Sequence, residues 1–129
     1  MRYHRLGLFV VLACLACASA SNPGRVMRDP NLLTKEEIAS AHASNAYDAI
    51  NALRPGFLRY RGQTTITGSD TGYPRVYLDR QAYGELSSLK NLEVGNIRSI
   101  RYYNAAEAST RFGLGNASGA IEVTTDAQP

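Results

Sequence analysis

The sequence predicts an α+β domain: a small mixed β-sheet of about four strands with short helices packed on it. Three observations carry that expectation. Thr34-Lys35-Glu36-Glu37 has the form of a capping box and opens a stretch with apolar residues near helical spacing. Four short segments, 57–61, 75–78, 97–103 and 120–125, have strand character. Along the chain the elements run helix, strand, strand, helix, strand, helix, strand, an order that implies a mixed sheet with helices against it. A length of 129 residues allows one domain, and 44% hydrophobic with 19% charged residues is an ordinary globular composition.

Each element has a local cause. After the capping box, Ile38, Ala41, Ala46, Ile50 and Leu53 approximate one helical face. Ser44-Asn45 offers a second cap, so one helix or two short ones over about 35–43 and 46–54 fit equally well. Pro55-Gly56 ends that stretch. Phe57-Leu58-Arg59-Tyr60-Arg61 alternates Leu58 and Tyr60 with two arginines, as a half-buried strand does. Gly62 to Pro74 is rich in glycine and polar residues and is expected to be an exposed loop. Arg75-Val76-Tyr77-Leu78 is a second strand, stopped at Asp79. Leu86, Leu89 and Leu92 sit three apart on a short helix, and Ile97 to Tyr103 is a strand with Ile100 and Tyr102 on one face. Ala105 to Phe112 reads as one or two helical turns, and Ala120 to Thr125 as a last strand with Ile121 and Val123 inward.

Residues 1–20 have the features of a secretory signal: a cationic start, an apolar run from Leu6 to Ala16, and small residues Ala18-Ser19-Ala20 before Ser21. The 11-residue run is too short to span a bilayer core as a helix. Cys14 and Cys17 each lie in a context resembling a bacterial lipobox, so lipidation at either competes with plain cleavage to a soluble form. A lipid anchor would tether the domain to a membrane, at about 0.8 kcal/mol per buried methylene. Both cysteines lie in this segment, which leaves no disulfide, thiolate nucleophile or cysteine metal site beyond it. Removing Arg2 and Arg5 leaves 12 basic against 11 acidic residues, a net charge of +1, so charge gives no case for nucleic acid. The expected division is a signal at 1–20, a linker at 21–31, a domain at 32–125 and a tail at 126–129.

No motif in the domain carries catalysis. His42 is its one histidine, and Glu36, Glu37, Asp79, Glu85 and Glu107 are acid/base candidates by residue type only. Arg111-Phe112-Gly113-Leu114-Gly115-Asn116-Ala117-Ser118-Gly119 is glycine-rich but precedes a strand, whereas a phosphate cradle follows a strand and opens a helix. Its glycines are expected to turn the backbone sharply and let it pass close to the sheet. Asn116-Ala117-Ser118 is a formal glycosylation acceptor. Arg59, Tyr60, Arg101 and Tyr102 make aromatic-basic strands. Their rings are expected to pack while the arginines snorkel or pair with carboxylates, and a protein-contact surface formed with Arg111, Gly113, Gly115 and Gly119 is the alternative.

Taken in order, several stretches resemble the plug domain of TonB-dependent outer-membrane receptors. Leu33-Thr34-Lys35-Glu36-Glu37-Ile38, Tyr47-Asp48-Ala49-Ile50 and Leu53-Arg54-Pro55-Gly56 are similar to its opening helices and turn. Val76-Tyr77-Leu78-Asp79 resembles the plug strand ending in aspartate, and Asn96 to Tyr102 its Ile-x-x-Ile-Glu-Val segment. Arg111-Phe112-Gly113 through Gly119-Ala120-Ile121-Glu122-Val123-Thr124-Thr125 resembles its closing loop and strand. The pattern departs at Arg80, where the plug has glycine, and at Tyr103-Asn104-Ala105, where Arg-Gly-Pro is usual; Ser21–Pro30 holds no convincing TonB box. Four residues follow Thr125, so the expectation is a plug-like domain without a barrel, not a transporter on its own. The resemblance implies an exported protein of a Gram-negative-type bacterium, lipid-anchored at the outer membrane or periplasmic. It implies an outer-membrane barrel or another envelope protein as partner, and no catalytic residue, cofactor or metal. A small-ligand-binding module using the Gly62–Pro74 loop is the other expectation.

Overall fold

Asn45, Asn104 and Thr34 each stop the backbone short of a helix and cap the helix that follows. The structure, a computed structural model, describes residues 28–62 and 71–127. The Thr34 hydroxyl accepts from the Glu37 amide at 3.4 Å while the Glu37 carboxylate accepts from the Thr34 amide at 3.3 Å, completing the capping box of α1 (Lys35–Ser40). Asn45 Oδ1 accepts from the Asp48 amide at 3.0 Å to start α2 (Ala46–Leu53). Two short helices therefore stand where one or two were open. Asn104 and Glu107 form a second capping box on α3 (Ala105–Phe112), an Asn-x-x-Glu signal that was present in the sequence.

Five strands form one mixed sheet in the order β1-β4-β5-β2-β3, with β2 and β5 parallel and the other pairs antiparallel. The strands are β1 (Leu32–Thr34), β2 (Arg75–Leu78), β3 (Gln81–Gly84), β4 (Ile97–Tyr103) and β5 (Ala120–Thr125). The expected strand at 57–61 is corrected. Pro55–Leu58 is instead a turn of 3-10 helix, with the Phe57 amide donating to the Arg54 carbonyl at 3.0 Å. Proline sets φ for that turn, and Phe57 then buries its ring against Tyr102 at a centroid distance of 5.3 Å. Leu86 and Leu89 likewise lie on a 3-10 helix, Leu86–Asn91, and Leu92 follows its end. Both edge strands were unforeseen, because β1 has three residues and all four of β3 are exposed, so neither shows an apolar period. β3 exists because Asp79 and Arg80 take φ of 48° and 71°, the two-residue hairpin turn with both φ positive.

Alternation along the strands divides the molecule into layers. Leu33, Val76, Ile97, Ile100, Tyr102, Ile121 and Val123 face α1, α2 and the Phe57 turn, where Ile38, Ala46, Ala49, Ile50 and Leu89 complete the main core. Tyr77 and Ala120 face the other way and are covered by Ala108 and Phe112 of α3, the Phe112 ring stacking on Tyr77 at 3.9 Å. The end of the sheet is pinned by Asp79, whose carboxylate accepts from the Thr125 amide at 2.9 Å and its hydroxyl at 2.7 Å. The described end of the expected linker is docked rather than free, with Asp29 paired to Arg101 at 2.9 Å and Asn31 accepting from the Tyr102 amide. The expected signal, with Cys14 and Cys17, lies outside the described residues, as does most of the linker.

Candidate functional site

Arg101 and Tyr102 are neighbours on β4, so their side chains leave the sheet on opposite faces. Tyr102 is buried, stacked on Phe57, and the Arg61 guanidinium lies 4.5 Å from its ring centroid. Burial pushes the Tyr102 hydroxyl above its ordinary pKa of 10.0, against the pull of Arg61. Arg101 is on the α3 side, tied to Asp29. Arg59 and Tyr60 follow the Phe57 turn and are exposed. The aromatic-basic residues are thus not one surface. Tyr102 packs its ring and Arg101 pairs with a carboxylate, as their amphipathic chemistry favours.

Arg111 is held in the same manner. Its Nε and Nη2 donate to the two carboxylate oxygens of Glu122 at 3.1 Å each, and the Tyr103 hydroxyl donates to the same carboxylate at 2.8 Å. Glu122 is 4% exposed, so this fork answers a charge that water barely reaches. The bond to Glu122 raises the Arg111 pKa further, while burial first and Glu122 second raise that of Tyr103. Glu122 was not singled out from the sequence. A glutamate between Ile121 and Val123 reads there as the solvent side of a strand, and α3 covering that side is a tertiary fact.

The glycine-rich loop turns back onto the sheet. Gly113 ends α3 with φ 87°, and Gly115 has φ 95°. Gly119 has φ 88°, and a Cβ there would stand 2.6 Å from the Tyr103 carbonyl oxygen and 2.7 Å from the Tyr102 hydroxyl. Close backbone passage, expected from the sequence, is what this glycine permits. Asn116 is buried, accepting from the Tyr77 hydroxyl and donating to the Gly113 carbonyl at 2.9 Å each, so its amide is closed to glycosylation in the folded protein. Of the carboxylates considered for acid/base work, Asp79 ties down Thr125, and Glu37 and Glu107 close the capping boxes.

Glu85 is placed differently. It lines a cavity of about 310 Å³ with Tyr73, Arg75, Tyr83, Gly115 and Gly119. A second cavity, of about 530 Å³, shares Thr71, Tyr73 and Glu85 with the first and adds Tyr47, Leu58 and Lys90. The two adjoin through these shared residues, the first lined by the loop before β5 and the second reaching Tyr47 of α2. Among the described residues the large exposed hydrophobic side chains are Tyr60 (56% exposed), Tyr73 (44%), Tyr83 (40%) and Leu114 (96%), and Tyr73 and Tyr83 line the first cavity. Tyr60 meets Tyr73 edge to face at 5.2 Å, and Leu114 precedes Gly115. Sequence reasoning had no means to join these residues, since they come from four separate segments. Only the suggestion that the Gly62–Pro74 loop binds a ligand pointed here, through Thr71, Tyr73 and Pro74. Among the described residues no three His, Cys, Asp or Glu side chains cluster to hold a metal ion. No protein-family model and no curated protein matches this sequence.

Proposed function

We propose that this protein is a binding module of the bacterial envelope with a plug-like domain, acting by contact with an outer-membrane barrel. One observation carries the reading: exposed Tyr73 and Tyr83 line adjoining cavities and exposed Tyr60 packs against Tyr73, while Leu114, beside the lining Gly115, is 96% exposed. Solvent-facing aromatic side chains grouped about a concavity are characteristic of contact sites, where Tyr supplies apolar area at low entropic cost. The ordered likeness of 32–125 to receptor plugs supplies the choice of partner, and the small mixed sheet with short helices accords with it.

A photo-cross-linking amino acid placed at Tyr73 and at Leu114 tests this in intact cells, with exposed Ala39 on α1 as the control position. Capture of one outer-membrane barrel from the first two positions and not from the third is the expected result. Equal capture from all three, or none from an abundant folded protein, overturns the reading. The 310 Å³ cavity favours a second reading, a small-ligand site, because its volume falls at the lower edge of the roughly 300–1,000 Å³ typical of such sites.

A further inference from the structure

We propose that the cavity between Arg75 and Glu85 binds a small zwitterion, an α-amino acid or short peptide, whose carboxylate meets Arg75 and whose ammonium meets Glu85. This inference rests on the reading of the cavity as a ligand site and adds the chemistry of the ligand.

The two charged side chains line the same 310 Å³ space. Among the described residues neither side chain makes a hydrogen bond or ion pair, and they do not pair with each other. Elsewhere in the fold, cations and anions that lie close together do pair, Arg111 with Glu122, Arg101 with Asp29 and Arg54 with Glu37. Backbone contacts hold both residues in place. The Arg75 amide donates to the Gly119 carbonyl at 3.2 Å, and the Glu85 carbonyl accepts from the Ser88 amide at 2.9 Å and the Ser88 hydroxyl at 2.6 Å. The Arg75 guanidinium lies beside Gly115, with Nη1 3.9 Å from the point a Cβ there would occupy.

A guanidinium and a carboxylate that line one cavity without pairing select a ligand with both charges. A plain anion gains from Arg75 and is repelled by Glu85, and a plain cation meets the reverse. Lys90, the cation of the adjoining cavity, stands over the Tyr47 ring at 5.1 Å. Tyr73 and Tyr83 provide apolar walls for the ligand's side chain. The guanidinium fork suits a carboxylate better than a point charge does.

The test is calorimetry and thermal shift on the purified protein with four probes: L-phenylalanine, L-alanyl-L-phenylalanine, the N-acetylated dipeptide and the dipeptide amide. We expect one of the two free zwitterions to bind and raise Tm, and which of them does so separates a free amino acid from a peptide as the source. Blocking either terminus should weaken binding about tenfold or more. Arg75→Gln and Glu85→Gln should each do the same to the free zwitterion while leaving the ligand-free Tm unchanged. If either blocked dipeptide, or a neutral glycoside, binds as well as the zwitterions or better, the zwitterion inference falls and the cavity stands as a ligand site. If no probe of either class binds the folded protein, both fall.

Discussion

Replacing Arg111 by Met leaves the Glu122 carboxylate in place without its cation. The side chain of Glu122 is 5% exposed and that of Arg111 37%, so the pair sits at the edge of the space beneath α3. Breaking a buried pair from one side costs about 3–5 kcal/mol when nothing compensates. Here the Tyr103 hydroxyl still donates at 2.8 Å, and water that already reaches the guanidinium can enter. Both reduce the penalty, and about 2–3 kcal/mol is the resulting expectation. For a domain of this size that lowers Tm by roughly 8–24 °C. Replacing both partners by Met removes the charge that needed an answer, so the double variant should lie within about 1 kcal/mol of the parent. Urea denaturation of the parent, Arg111→Met, Glu122→Met and the double variant measures all the corners of the cycle. If Arg111→Met alone stays within about 0.5 kcal/mol of the parent, the carboxylate is not held by this fork and the reasoning fails.

Other expectations follow from backbone geometry and titration. Gly119→Ala should cost about 2–5 kcal/mol, from a positive φ and the approach to the Tyr103 carbonyl, whereas Gly113→Ala, with nothing within 4 Å of its Cβ, should cost about 1 kcal/mol. Equal losses in denaturant midpoint would remove the steric argument. Arg80→Gly should raise stability by about 0.5–1 kcal/mol, because Arg80 sits at φ 71° and glycine meets no Cβ penalty there; a lower Tm would contradict this. Tyr102 and Tyr103 bind their protons more tightly folded than unfolded, so their stabilisation is complete below pH 10.0 and is lost as pH rises through the folded pKa values. Denaturant midpoints between pH 8 and 11.5 should fall, and less steeply in Tyr102→Phe; a parental slope in that variant would exclude the buried phenol as a cause.

Most of the regular structure was legible because its causes are local. The capping box at Thr34, the cap at Asn45 and the alternation of Ile121 and Val123 depend on residues within a turn or a pleat of one another. The misread strand at 57–61 shows the limit of that logic. Leu58 and Tyr60 alternate with arginines by spacing alone, yet Pro55 starts a 3-10 turn and Phe57 finds Tyr102 across 45 positions of chain. β3 is a product of the Asp79-Arg80 turn and not of its own composition.

For the candidate site the balance is reversed. The sequence by itself determined that the cysteine-free residues of the domain would build a small α+β core, and that the loop before β5 needed glycine. Which arginines were consumed by carboxylates, and which one was left facing a cavity, only the tertiary structure decided. Arg111 and Arg75 are indistinguishable by residue type. One reaches Glu122 because α3 folds over β5, while the other opens β2 beside Gly115 and lines a cavity that Glu85 also lines. Pairing depends on distances of a few ångströms between segments far apart in the chain, and Coulomb and hydrogen-bond energies fall off over that same scale. Periodicity carries no information about such distances, and close packing of the sheet and helices sets them.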